Sequence, residues 1–212
     1  IYIILRNIMW IIITMILFLL FLKDYFKPPR DLLYFQNPWR PFIGIRNSLI
    51  DLFYYKPEYD VNEYEGLSKI KENFLMIRDE FKELSVDVEK KFMHELDPMF
   101  DKNENYYALE CDHFPKTYEL IKSIPCVDLD MTHFLVIDGP LYLVPHRAEF
   151  NHLLRYQMTV EGSEHSYIET EYGKFHHEEG GEFLFDHSRI HSLSKHDMSK
   201  RVVLCLNIKR FS

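Results

Sequence analysis

From residue 129 onward the chain is a series of short apolar runs rich in β-branched and aromatic residues: 134–137, 141–144, 153–160, 166–170, 183–185 and 202–208. Asp138-Gly139, Glu161-Gly162 and Gly180-Gly181 punctuate them. The runs are too short for helices, and the Gly pairs supply turns. Many short strands at this spacing fold as a sandwich or barrel, and jelly rolls are among these. The aromatic share of 16%, with 14 Tyr and 17 Phe, favours the same β-rich outcome. At 212 residues and 47% hydrophobic content, the chain can bury one good core. There is no internal repeat and no low-complexity tract.

The other end obeys different rules. Residues 1–22, IYIILRNIMWIIITMILFLLFL, are interrupted only by Arg6 and Asn7. A bilayer core needs about 20 apolar residues in a helix, and Arg6 can reach an interface along its own stem. A transmembrane helix over 1–22 is expected, against a signal-like or buried helix. No small-residue cleavage site follows, which disfavours a signal peptide. Lys23, Lys27 and Arg30 follow the run against Asp24 and Asp31, which places the rest of the chain on the cytosolic or equivalent reducing side of a single-pass membrane protein. Three cysteines, with no CxxC pair, lean the same way. The net charge of −8, without a basic patch among aromatics, excludes nucleic acid as a partner.

Residues 23–58 carry Pro28, Pro29, Pro38, Pro41 and Pro57 among many aromatics. Proline opposes regular helix and central strand. The segment is expected to be an extended arm, lying on the membrane surface with Trp39 at headgroup level or over its own domain. Residues 59–96 are expected to be helical. Leu67, Ile70, Phe74, Ile77, Phe81 and Leu84 form one apolar stripe at three- and four-residue steps, read as core packing, and Asp97-Pro98 ends the region. A short helix over 116–123 starts beside Pro115. The domain then spans 59–212, with helices over 59–125 and a β core over 129–210.

Chemistry concentrates in two stretches. His146 is followed nine residues later by Arg155, and His191 ten residues later by Arg201. Imidazole nitrogen suits iron, zinc or copper, and a guanidinium fork suits a carboxylate. Five runs surround these residues in order: CDHFPKTYELIKSIP (111–125), VIDGPLYLVPHR (136–147), LLRYQ (153–157), HEEGGEFLFDHSRIH (177–191) and KRVVLCLNIKR (200–210). Together they resemble the aspartyl/asparaginyl β-hydroxylase family, which includes a lipid A hydroxylase branch, over roughly residues 70–210. The segment ENFLMIRDEFKEL (72–84) resembles the helix that precedes that family's catalytic sheet.

The resemblance implies a mainly β (α+β) fold, a double-stranded β-helix or cupin-like jelly roll with flanking helices. It implies an Fe(II)- and 2-oxoglutarate-dependent dioxygenase with His146 and His191 as metal ligands. Arg155, Gln157 and Arg201 then hold the 2-oxoglutarate. Three positions depart from the family pattern. Ala148 stands where many such sites have an iron-binding carboxylate, although some family members use two histidines alone. Gln157 stands where the family commonly has His, and an amide can still donate to a carboxylate. Leu135 replaces a Ser found in animal members. Glu149 points the other way in a strand. His187 sits where the family usually carries Asp and is expected to be structural or to support a ligand. Asp186 is expected to orient a turn or a ligand histidine. His152, His176, His177 and His196 are expected at the surface or in loops.

Three functions fit. The first is a membrane-anchored hydroxylase acting on a protein Asp or Asn side chain or on a lipid acyl chain. The second is a catalytically degenerate member, a pseudoenzyme serving as a structural subunit of a membrane complex, motivated by Ala148, Gln157 and Leu135. The third is a jelly-roll binder of carbohydrate or anions without redox chemistry.

Overall fold

The computed structural model describes residues 2–28, 34–96 and 102–211. The Asp97-Pro98 helix stop and the Pro29, Arg30 and Asp31 portion of the arm lie outside them. Ten strands among the described residues form two antiparallel sheets. They are β1 (Lys91–Phe92), β2 (Tyr106–Glu110), β3 (Val127–Asp138), β4 (Leu141–His146), β5 (Leu153–Glu161), β6 (Ser166–Thr170), β7 (Gly173–His176), β8 (Glu182–Phe185), β9 (His191–Lys195) and β10 (Lys200–Lys209). The larger sheet has the order β1-β2-β3-β10-β5-β8 and the smaller β4-β9-β6-β7. From β3 to β10 the chain passes back and forth between the sheets, which is the winding of a double-stranded β-helix. All six strand runs expected from the sequence are present. Strands β1, β2, β7 and β9 do not stand out in the sequence, because they are short or polar.

Alternation along β10 shows why its sequence reads as an unbroken apolar run. Val202, Leu204, Leu206 and Ile208 face a core shared with the helices, beside Phe81, Phe114 and Ile121. Val203 and Cys205 face the smaller sheet, beside Ile168, Leu193, Phe183 and Phe185. A strand covered on both faces needs apolar residues at nearly every position. Each fully buried large apolar side chain contributes roughly 1.5–3 kcal/mol. Gly139 (φ +95°) and Gly180 (φ +77°) take left-handed conformations at two of the expected turns.

The helices are α1 (Tyr2–Tyr25), α2 (Arg40–Tyr54), α3 (Ser68–Glu72), α4 (Phe74–Leu84), α5 (Met93–Leu96) and α6 (Pro115–Lys122). The stripe on 67–84 packs as expected: Leu67, Ile70, Ile77 and Phe81 are buried, with Phe74 and Leu84 against the same core. Glu80 is also buried, and it accepts hydrogen bonds from Lys116 N, Thr117 N and Thr117 Oγ1 at 2.7–2.8 Å. A carboxylate thereby satisfies the first amides of α6 and fixes α4 across it.

Two expectations need correction. The region 59–96 is not one helix, because Asn73 separates α3 from α4 and β1 lies beyond Leu84. The arm is not extended throughout, because residues 40–54 form a helix of 15 residues. Its proline, Pro41, sits in the first turn, where no intrahelical donor is needed. Pro57 lies beyond its end, so the interior is free of proline.

α1 has 24 residues and is long and apolar enough to cross a membrane. At 1.5 Å per residue it measures roughly 36 Å, against a hydrocarbon core of about 30 Å. Its described side chains up to Leu19 are exposed, and Asp24 in its last turn is buried.

Candidate metal centre and anion pocket

β4 is an edge strand of the smaller sheet, and its pairing with β9 slips between Leu143 and His146. Pro145 lies in that slip, where an edge tolerates its missing donor. The slip leaves His146 opposite His191, with ring centroids 4.3 Å apart. The His146 Nδ1 lies 2.7 Å from Val144 O, and the His191 Nδ1 lies 2.8 Å from Arg189 O. Only a protonated Nδ1 can donate to a carbonyl, so both rings present the Nε2 lone pair. This is the tautomer of a metal-ligating histidine. Burial, followed by the neighbouring His146, drives the His191 pKa down to about 3, so the ring is neutral at pH 7.

A row of polar residues lines the space between the sheets. Arg155 and Gln157 share a face of β5, while Arg201 and Cys205 share the facing side of β10, with Gln157 opposite Cys205. Arg201 is 0% exposed, yet its Nε and Nη2 have no hydrogen-bond partner among the described residues. Burial lowers its pKa to about 10, which leaves it charged at neutral pH. An unsatisfied buried guanidinium is costly, and a carboxylate would relieve it through two parallel bonds. Arg155 donates from Nη1 to Cys205 Sγ at 3.1 Å, and its buried Nε has no partner among the described residues. Burial pushes the Cys205 thiol up. Arg155 and a hydrogen bond from His133 outweigh that and bring it down to about 6.

His177 corrects an expectation. It is fully buried, not at the surface. Its Nε2 lies 3.2 Å from Arg201 Nη1, with the Gln157 side-chain amide beside it. Arginine can only donate, so the neutral ring accepts at Nε2 and carries its proton on Nδ1, 2.9 Å from Ser166 Oγ. Burial and then Arg201 hold its pKa well below the usual value. An imidazole from the end of β7 thus stands beside Gln157. Strand alternation carries the signal: Phe175 packs inward and His176 is exposed, so His177 turns inward again.

The remaining candidates separate cleanly. Glu149 turns toward α2, with Oε1 3.1 Å from Asn37 Nδ2 and 3.6 Å from Arg40 Nε. Asp186 holds a turn by accepting from Ser188 N and Oγ, and it pairs with Arg210. His187 is buried, with its pKa pushed well down by burial and then Arg155. Leu135 is buried between the sheets. Glu110, Asp112 and His113 cluster at the surface, where Glu110 pairs with Lys91. A cavity of about 230 Å³ reaches His146, and its lining mixes apolar residues such as Met93, Leu141 and Leu143 with polar His94, Asn103 and Tyr142.

No curated protein sequence matches the chain. Among solved structures it is similar to the Cnp3 cupin domain of Schizosaccharomyces pombe, with 7% identity, a TM-score of 0.32, and coverage of 52% of this chain and 60% of that one. It is similar to KdgF from Halomonas sp., with 15% identity, a TM-score of 0.35, and coverage of 56% and 92%. It is also similar to a cupin-superfamily sugar phosphate isomerase from Silicibacter pomeroyi, with 10% identity, a TM-score of 0.39, and coverage of 58% and 73%. The model of the aspartyl/asparaginyl beta-hydroxylase family matches residues 71–211, which takes in both histidines and both arginines. This chain, wound as a cupin-like jelly roll, therefore belongs to the aspartyl/asparaginyl β-hydroxylase family.

Proposed function

We propose that this protein is a membrane-anchored, Fe(II)- and 2-oxoglutarate-dependent hydroxylase. The observation that carries the reading is the pairing of His146 and His191, with both Nδ1 atoms tied to carbonyls, together with a fully buried arginine, Arg201, that has unused donors. The donor set fits a divalent iron held by two imidazoles, with Ala148 leaving room for water or an anion where others place a carboxylate. Iron with 2-oxoglutarate supplies the chemistry that turns C–H and O₂ into C–OH, releasing succinate and CO₂.

The chain's own residues do the rest. His146 and His191 hold the metal through Nε2. Arg201 receives one carboxylate of 2-oxoglutarate, oriented by His177, while Arg155 and Gln157 sit on the neighbouring strand β5. Burial keeps water from the Arg201 guanidinium, which strengthens each charged contact. Substrate enters by the cavity beside His146. Its lining mixes apolar Met93, Leu141, Leu143 and Val144 with polar His94, Asn103 and Tyr142, so it admits a lipid acyl chain or a protein Asp or Asn side chain. α1 anchors the domain to the membrane that holds such a substrate.

Ala148, Gln157 and Leu135 support a second reading, a catalytically silent subunit of a membrane complex. Isothermal titration of the anaerobic, detergent-solubilised protein with Fe(II), then 2-oxoglutarate, separates the two. The enzyme reading expects stoichiometric binding of both, abolished in His146→Ala/His191→Ala. Binding of neither by the wild type would leave the silent subunit.

A further inference from the structure

α2 is built inside out. Its buried positions are Arg40, Gly44, Asn47 and Ser48, all polar or small. Its exposed positions include Phe42 (64% exposed), Leu49, Leu52 and Phe53 (71%). These four recur at helical spacing, so a largely apolar stripe, interrupted by exposed Arg46, faces away from the protein. A helix on a water-facing surface has the opposite arrangement.

The polar face is specifically used. Ser48 Oγ donates to Leu20 O at 2.7 Å, and a Cβ added at Gly44 would come within 2.8 Å of Asp24 Oδ2. α2 therefore crosses the last turns of α1, where the apolar run ends. Its outward stripe is exposed, as is the apolar surface of that helix. The same level carries exposed Trp39, Phe35 and Phe26, with exposed Lys23 and Arg46. Aromatic rings and basic stems beside the end of a spanning helix are the composition of a membrane interface.

We propose that α2 lies in the polar–apolar boundary of the bilayer that α1 crosses, with the Phe42, Leu49, Leu52 and Phe53 stripe in the lipid. This rests on α1 being a membrane span. It goes further by giving the domain a second hold and a set orientation. α2 also grips the segment that follows His146: Asn47 Nδ2 donates to Glu149 O at 2.7 Å, and Asn151 Nδ2 donates to Asn47 O at 2.8 Å. The surface beside the histidine pair is thereby held at the membrane face.

The test uses the full chain in phosphatidylcholine vesicles brominated either near the headgroup or near the chain ends. Its two tryptophans, Trp10 and Trp39, are replaced by Phe, and a single probe is introduced as Phe53→Trp; a Trp39→Phe chain keeps Trp10 as the reporter of α1. The expected result is a blue-shifted Phe53→Trp probe that loses intensity to bromines near the headgroup, with Trp10 quenched as well. If Trp10 is quenched and the Phe53→Trp probe is not, α2 lies outside the lipid and the proposal fails while the anchor stands. A blue shift without quenching, as when a second copy or another protein covers the stripe, overturns it too. If neither is quenched, the anchor falls and takes the proposal with it.

Discussion

Arg147, the residue after His146, places its Nη1 3.3 Å from Asp24 Oδ1 and its Nη2 3.1 Å from Asp24 O, on the last turn of α1. Arg40 of α2 reaches the other carboxylate oxygen, Oδ2, at 2.8 Å. One buried carboxylate thus ties the apolar helix, the helix that crosses it and the strand end that carries His146.

Removing that charge should be expensive. Asp24→Asn keeps the shape but leaves two buried guanidinium groups facing an amide, and losing one member of a buried ion pair costs about 3–5 kcal/mol. Urea unfolding of the solubilised protein should show the loss. Fe(II) affinity should fall with it, because Arg147 is no longer held beside His146. Unchanged stability would mean that the two arginines are satisfied elsewhere.

Arg201 should trade stability for binding. Its unpartnered, buried donors penalise the ligand-free fold. Arg201→Met removes the charge at similar volume, so the ligand-free protein should unfold at an equal or higher urea concentration. Affinity for 2-oxoglutarate should drop by a factor on the order of 10–100, from one charged hydrogen-bonded contact worth about 1.5–3 kcal/mol. Titration with 2-oxoglutarate in the presence of Fe(II) reads this directly.

His177 should act through Arg201 and not through the metal. His177→Phe fills the site but offers no acceptor to Nη1. Affinity for 2-oxoglutarate should fall about 10-fold, the lower range for supporting contacts, while Fe(II) binding is unchanged. A parallel loss of iron affinity would show that the substitution disturbs the fold more widely.

Acid should destabilise the metal-free protein early. His177, His187 and His191 are held neutral, with folded pKa values below that of an ordinary imidazole. Unfolding frees each ring to take a proton, so the unfolded state binds more protons below the usual pKa near 6.5. The stability they contribute is present above that pH and is lost as pH falls, by up to about 1.4 kcal/mol per pH unit per ring. For His191 the loss continues down to a pH of about 3. Urea midpoints measured between pH 7 and pH 5 should decrease. Replacing His187 by Leu should make that decrease shallower.

Much of this architecture is legible in the sequence because it depends on local periodicity. The apolar run of 1–22 marks α1. The stripe from Leu67 to Leu84 is the core face of α3 and α4. The runs at 134–137 and 202–208 pair as β3 and β10, with Val136 opposite Val202. Strands β7 and β9 are harder to find because they are short and partly polar. His191 and Lys195 bound β9, and neither follows a plain apolar alternation. α2 is hidden by its prolines, which count against a helix by number and favour one by position.

An apolar helix, a helical stripe and a β-rich core with two histidine–arginine stretches in the order of one family are all written in neighbouring residues. A period of 3.6 or 2 selects each element without reference to the rest of the chain. Which polar groups meet is settled at the level of tertiary packing. Asp24 and Arg147 are 123 residues apart, and His177 and Arg201 are 24 apart. No local pattern links them, because their contact depends on how two sheets close and where two helices cross. For the same reason α2 can turn its polar face inward. The partner that makes this favourable is a carboxylate at the end of another helix, beyond the reach of any window of sequence.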